Sequence, residues 1–147
     1  MKWLITAFLL SYASFNVAQA ADSDNDCSSL HIQISNLTKE ACILTSQNVI
    51  HGNLITPPPL SILPNDSKRF DMMQTGYGPS IRLSYQCGAD IITFTSQQNY
   101  CFLEAGDITG TITHPLSDNV TASYKAIIGS YFWGMSGSIN WELISFR

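Results

Sequence analysis

Ile81-Arg-Leu-Ser-Tyr-Gln-Cys-Gly-Ala-Asp-Ile-Ile-Thr-Phe-Thr95 is the stretch that decides the fold. Ile81, Leu83, Tyr85 and Cys87 fall on one side of an extended chain, and Arg82, Ser84 and Gln86 on the other. That period of two is the signature of a half-buried strand. Gly88-Ala89-Asp90 then turns the chain, and residues 91–95 return rich in β-branched side chains, so the segment reads as a β-hairpin.

The same period extends outward in both directions. Leu30, Ile32 and Ile34 alternate with His31, Gln33 and Ser35; residues 36–40 turn, and residues 41–46 come back as a second strand. Thr56-Pro57-Pro58-Pro59 has fixed φ angles and no proline N–H donors, which predicts an extended connector or an edge segment. Pro64-Asn65-Asp66 is a turn signal, with a further short strand over 67–72. Residues 100–103 and 108–113 are shorter apolar or β-branched runs, broken by Gly106, Gly110 and Pro115. Residues 121–128 and 138–146 close the domain, and in the last of these Ile139, Trp141 and Leu143 share one face. No window carries a 3.6-residue period with caps. The expectation is an all-β domain over 30–147, a single antiparallel β-sandwich of about 8–10 short strands. A membrane β-barrel would need strands of about ten residues with apolar side chains facing outward. These strands are too short and too few.

The first twenty residues stand apart. Lys2 gives a positive start, residues 3–10 are apolar, and Ala18-Gln19-Ala20 ends in the small-x-small pattern cut by signal peptidase. Residues 1–20 are therefore expected to be a cleaved signal peptide, and residues 21–29 (ADSDNDCSS) an acidic, flexible lead-in. The mature chain is expected to be secreted or periplasmic. No later run reaches the roughly 18 apolar residues of a membrane helix, so no transmembrane segment is expected in it. No cysteine sits at the cleavage point for lipidation.

Of the 147 residues, 45% are hydrophobic and 12% charged, which excludes a disordered chain. The formal net charge of −4 becomes more negative by one when Lys2 leaves with the signal peptide. The only adjacent basic pair in the chain is Lys68-Arg69. Nucleic acid is thereby excluded as a partner, as is purely charge-driven docking on anionic lipid.

Cys27, Cys42, Cys87 and Cys101 all lie in the mature part, and an even number in an exported chain reads as two disulfides. Three pairings are open. The expectation leans to Cys27–Cys42 and Cys87–Cys101, whose partners are near in the chain. No CxxC is present, and no metal site is expected.

Catalytic signatures are equally scarce. His31, His51 and His114 show no metal-binding spacing; His31 reads as an exposed strand residue, and the other two as loop residues. Gly134-Met135-Ser136-Gly137 brings its second glycine one residue too early for a nucleophile elbow. Asp90, Glu104, Asp107 and Asp118 lie near turns. No catalytic residue and no cofactor is assigned. Three N-glycosylation sequons, at Asn36, Asn65 and Asn119, matter only in a host that glycosylates its exports.

The segment that asks for a function is Gly129-Ser-Tyr131-Phe132-Trp133-Gly134-Met135-Ser-Gly137. Three consecutive aromatics cannot all face one side of a strand, so at least one of Tyr131, Phe132 and Trp133 points away from the core. A glycine-hinged aromatic tip can sit at a bilayer interface or stack on a sugar or headgroup. Tyr77, in Gly76-Tyr77-Gly78-Pro79, is a second aromatic on a flexible turn that can join the same surface.

The order of features resembles the aegerolysin-type proteins, small β-sandwiches that recognise membrane lipids. The matching parts are Ile34-Ser35-Asn36 at the end of the first strand, His51-Gly52, a proline-bounded stretch before Phe70, Gly76-x-Gly78 leading to Tyr85, and a glycine-rich closing hairpin with Trp133 and Trp141. The Tyr-Trp-Asp-Cys-Pro-like run of that family is missing, with Ile92-Thr93-Phe94-Thr95 in its place. The resemblance implies a lipid or cell-surface partner. The sequence thus points to a secreted, non-enzymatic binding protein contacting a lipid headgroup or glycan through Tyr131, Phe132, Trp133 and Tyr77. The alternatives are an exported protein-interaction module and, behind it, a small hydrolase.

Overall fold

Alternation along each strand leaves one apolar face per sheet, and two such faces closing on each other give the observed architecture. In the computed structural model, residues 26–113 and 119–146 are described. The strands are β1 (Ser29–Leu37), β2 (Cys42–His51), β3 (Asn53–Leu54), β4 (Ser61–Ile62), β5 (Ser67–Met73), β6 (Ser80–Cys87), β7 (Asp90–Gln98), β8 (Ile108–Thr113), β9 (Val120–Ile127) and β10 (Gly137–Ser145). They form two five-stranded sheets, ordered β3-β5-β1-β10-β9 and β4-β2-β6-β7-β8. The all-β sandwich expected from the sequence is what the chain adopts. Among the described residues no helix is long and apolar enough to cross a membrane.

Alternation picked out the inward faces of β1, β6 and β10, and the structure adds Phe70, Met72, Ile92 and Phe94 from β5 and β7. Leu30, Ile32, Ile34, Phe70, Met72, Ile139, Trp141 and Leu143 come from the first sheet, and Ile81, Leu83, Tyr85, Ile92 and Phe94 from the second, all buried. Phe94 and Trp141 join the layers with ring centroids 4.5 Å apart. The indole N–H of Trp141 donates to Ser96 Oγ at 2.8 Å, and the Tyr85 hydroxyl donates to the Pro59 carbonyl at 2.7 Å. Both large polar rings therefore enter the core without an unpaired donor. Burial pushes the Tyr85 phenol well above its ordinary pKa. Gly110 makes room for this arrangement, since a Cβ there would lie 2.7 Å from both Trp141 and Tyr124 ring atoms.

Local pattern did not reveal three features. One strand pair is parallel: β1 and β10 run side by side from Leu30↔Gly137 to Leu37↔Ile144. They are the first and last strands, so the rest of the domain serves as their connection and no crossover helix is needed. Second, β2 continues to His51 rather than ending near Ser46, with register shifts between Leu44/Ser46 and Val49/His51. Those irregularities, on a largely exposed strand, erase the alternation that would have announced it. Third, residues 100–103 form no strand and belong to the loop between β7 and β8.

The expected disulfide pairing is overturned. The bridges are Cys27–Cys101 and Cys42–Cys87, not Cys27–Cys42 and Cys87–Cys101. Cys42 and Cys87 face each other across the antiparallel β2–β6 ladder. Cys87 and Cys101 lie on either side of β7, at opposite ends of the sandwich, and cannot meet. Proximity in the chain was the wrong guide because each short segment between neighbouring cysteines contains a full-length strand. Two disulfides fit a protein that folds in an oxidising compartment.

Candidate functional site: one aromatic end

Strand register fixes which loops share an end. Ser29 pairs with Met73, and Leu30 with Gly137; Ser138 pairs with Ile127; His51 with Ser80, Ser80 with Gln97, and Gln97 with Thr109. The lead-in before β1 and the loops β2–β3, β5–β6, β7–β8 and β9–β10 therefore meet at one end.

The β9–β10 tip is a tight hairpin. Ser130 and Met135 exchange both backbone hydrogen bonds at 2.8 Å, and the Gly134 amide donates to the Tyr131 carbonyl at 3.2 Å. Closing a four-residue loop this way requires a left-handed residue, supplied by Gly134 at φ 57°. Tyr131, Phe132 and Trp133 thus occupy the loop itself. None joins the core: Phe132 is 83% exposed and Trp133 81%, with Tyr131 set edge-on to Phe132 at 5.8 Å. Tyr77, 68% exposed, stands on the β5–β6 loop against the ring of His51, with centroids 4.9 Å apart.

The four residues singled out from the sequence therefore lie at the same end, and the structure adds others. The β7–β8 loop presents Tyr100, Phe102 and Leu103, with Phe102 67% exposed, beside a shallow depression of about 430 Å³ lined in part by Glu104 and Asp107. Met135 and Ile128 flank the tip and are also exposed. The signal for residues 100–103 was present: three large apolar residues around a cysteine, with no alternation, bounded by Asn99 and Gly106. It was masked by its likeness to a short strand.

These loops are held to one another. Cys101 is bridged to Cys27 in the lead-in. Its backbone N–H donates to Gln74 Oε1, and its carbonyl accepts from Gln74 Nε2, both at 2.9 Å, which joins the β7–β8 loop to the β5–β6 loop. Buried Gln98 donates to the Cys27 carbonyl at 2.6 Å, and Ser136 Oγ donates to the Asp26 carbonyl at 3.1 Å, tying the aromatic tip to the lead-in. Gly78 packs on the Gln98 and Asn99 backbone so closely that any side chain would collide.

Charge at this end has one sign. The lead-in and the loops of this end hold Asp26, Glu104 and Asp107, and no lysine or arginine among the described residues. The basic side chains lie elsewhere, with Lys68 paired to Asp66 at 3.0 Å and Arg69 to Asp71 at 2.8 Å on β5 and its turn.

The two described histidines, His31 and His51, belong to no metal-binding cluster. His31 is not the exposed residue expected; it is half-buried on the outer face, its Nδ1 2.6 Å from Asp71 Oδ1. A carboxylate on the adjacent strand draws the ring in. His51 ends β2 rather than sitting in a loop. His114 and Asp118, with residues 1–25, lie outside the described residues. Among the described residues no group of three or more His, Cys, Asp or Glu side chains is arranged to hold a metal ion.

No protein-family model matches the sequence, and no curated protein matches it. Among solved structures, the chain is similar to one described as the lipid binding protein Nakanori: TM-score 0.63 and 9% identity, over 80% of this chain and 71% of that one. It is also similar to IP-1A from Alcaligenes faecalis, with TM-score 0.56 and 14% identity, over 82% of this chain and 93% of that one. At such identities the likeness is one of fold.

Proposed function

We propose that this protein is an exported, non-enzymatic binding protein that docks on a membrane lipid surface through its aromatic end, after loss of the leader over residues 1–20. Tyr131, Phe132, Trp133 and Tyr77 make the contact, with Tyr100, Phe102 and Leu103 beside them. One observation carries the reading: of the eight exposed Phe, Tyr and Trp side chains among the described residues, six (Tyr77, Tyr100, Phe102, Tyr131, Phe132 and Trp133) stand on the β5–β6, β7–β8 and β9–β10 loops of one end. Aliphatic Leu37, Leu60 and Leu63 are exposed away from it. Exposed aromatic side chains clustered on loops that are tied to one another mark a candidate interaction surface. Trp and Tyr suit the bilayer boundary, where an apolar ring and a polar edge are both satisfied. The aegerolysin-type pattern of the sequence and the fold shared with a protein described as lipid binding support the same direction. Because the end has acids and no basic residue, docking draws on insertion and headgroup contact rather than on attraction to anionic lipid.

The test is vesicle co-sedimentation. Protein is mixed with zwitterionic phospholipid vesicles at low and high salt, followed by tryptophan fluorescence. Trp141 is buried in the core, so Trp141→Phe leaves Trp133 as the mature chain's reporter. The expected result is co-sedimentation with a blue shift of Trp133, both little changed by salt, and co-sedimentation is lost in Trp133→Ala, where the pelleted protein is read by gel. No partition into any vesicle sinks the proposal. A glycan-array signal lost in Trp133→Ala would move the contact to sugar, and capture of one specific protein would move it to an adaptor role.

A further inference from the structure

Two of the three sequons, those at Asn36 and Asn65, do not survive folding on equal terms. Asn36, at the end of β1, is completely buried. Its Nδ2 donates to the Glu40 carbonyl at 2.8 Å and the Ile62 carbonyl at 2.9 Å, using both hydrogens. Its Oδ1 accepts from the Thr38 amide at 2.9 Å and the Thr38 hydroxyl at 2.7 Å. A sugar on Nδ2 would replace one of those hydrogens and force a large hydrated group into a closed polar network. Asn65 is the opposite case. It is exposed on the Pro64-Asn65-Asp66 turn at φ 60°, a left-handed conformation that asparagine tolerates. Its backbone N–H donates to the Asn36 carbonyl at 2.7 Å, so the turn is anchored by main chain while the side chain faces out. The turn lies beyond the β4 and β5 ends farthest from the aromatic loops.

We propose that Asn65 is an N-linked glycan acceptor, and that a glycan at Asn36 is incompatible with the native fold. The proposal rests on export through a compartment that glycosylates, and it is independent of lipid docking. The transfer forms a bond from Asn65 Nδ2 to the anomeric carbon of a sugar and breaks that carbon's bond to the pyrophosphate of a lipid-linked donor. The donor leaves as its pyrophosphate, and the amide proton passes to a base of the host transferase. Because transfer precedes folding, Asn36 and Asn65 compete differently: a sugar at Asn65 is carried along, and one at Asn36 removes that molecule from the native population. Sugar at Asn65 leaves the aromatic end free.

The experiment expresses the chain behind a eukaryotic leader and isolates the protease-resistant, fully disulfide-bonded fraction. Occupancy at Asn36 and Asn65 is then read site by site by mass spectrometry. The expected native fraction carries sugar at Asn65, loses it in Asn65→Gln, and is bare at Asn36; chains occupied at Asn36 appear only in the protease-sensitive material. Graded inhibition of donor synthesis guarantees a population in which Asn36 escapes, so a native fraction is always available. Native protein with sugar on Asn36, or native protein bare at Asn65 when donor synthesis is uninhibited, overturns the proposal. Neither readout involves lipid, so this result and that of vesicle binding fail separately.

Discussion

Replacing Cys27 and Cys101 together by alanine removes the bridge that ties the lead-in to the aromatic β7–β8 loop. The cost can be worked from topology. Cys27 and Cys101 are 74 residues apart, and for a loop of that size the chain-entropy relation gives about 4.5 kcal/mol. The second bridge is nested inside the first, Cys42–Cys87 spanning 45 residues. With that inner bridge intact the denatured chain is already shortened: 74 less 45 leaves a path of about 30 residues, and the relation falls to roughly 3.6 kcal/mol. For a domain of this size, with an unfolding entropy of about 2.1 cal/mol/K per residue, that is a drop in Tm of roughly 14 °C. The assay is chemical and thermal unfolding of the double variant and the parent, both folded under oxidising conditions. The denaturant slope should steepen, because the freed denatured chain exposes more surface. A loss below about 1 kcal/mol with an unchanged slope would refute the reasoning, as would peptide mapping that joins Cys27 to Cys42.

Three further outcomes follow from individual contacts. Tyr85 has a folded-state pKa raised by burial above its ordinary value of 10.0, so its stabilising neutrality is fully present below pH 10. It is lost as pH climbs beyond that value, because the unfolded chain releases the proton first; denaturation curves should show stability falling by up to about 1.4 kcal/mol per pH unit there, a component absent in Tyr85→Phe. Gly110→Ala drives a methyl group against Trp141 and Tyr124 and should cost about 1–3 kcal/mol, read as a lower denaturant midpoint with unchanged slope. Exposed Phe132 and Trp133 support nothing beneath them, so Phe132→Ser and Trp133→Ser should each alter folding stability by less than about 0.5 kcal/mol; the same substitutions should weaken vesicle partition by about tenfold or more each, measured by co-sedimentation.

The fold was legible wherever one face of a strand meets the core and the other meets water. Ile81 to Cys87 and Ile139 to Leu143 are such segments, and their inward residues are the buried ones. Legibility ended where that contrast ends. β2 is mostly exposed along its length, and its bulges break the period, so its outer half read as loop. The parallel pairing of β1 with β10 is a long-range fact that no window contains. The disulfides failed for the same reason, since pairing follows strand register and not spacing. At the aromatic end, Tyr131, Phe132 and Trp133 stood out because three adjacent aromatics fit no strand. Phe102 and Leu103 escaped because an apolar run beside a cysteine passes equally well for a strand. The partnership of Gln74 with Cys101, which fixes that loop, leaves no trace in sequence.

The two ends of the sandwich solve the same geometric problem with different chemistry, and the difference bears on function. Each end must reverse the chain several times and satisfy backbone groups beyond the last ladder bonds. The far end does so with polar side chains: Asn36 and Thr38 close the β1–β2 turn, Asp66 caps the turn before β5 through the Ser67 amide, and Gly88 turns β6 into β7. The aromatic end closes with glycines at positive φ (Gly52, Gly76 and Gly134), the side chains of Gln74, Gln98 and Ser136, and the Cys27–Cys101 bridge. Nothing in that geometry asks for a phenyl or indole ring at the tip, where serine or asparagine would turn as well and stay solvated. Phe132 and Trp133 expose their rings to water in the isolated chain, and neither joins the core. On the proposed reading the rings answer to a partner outside the molecule, and stability measurements on Phe132→Ser and Trp133→Ser test the premise: a loss above about 1 kcal/mol in either would return that residue to folding and remove it from the docking surface.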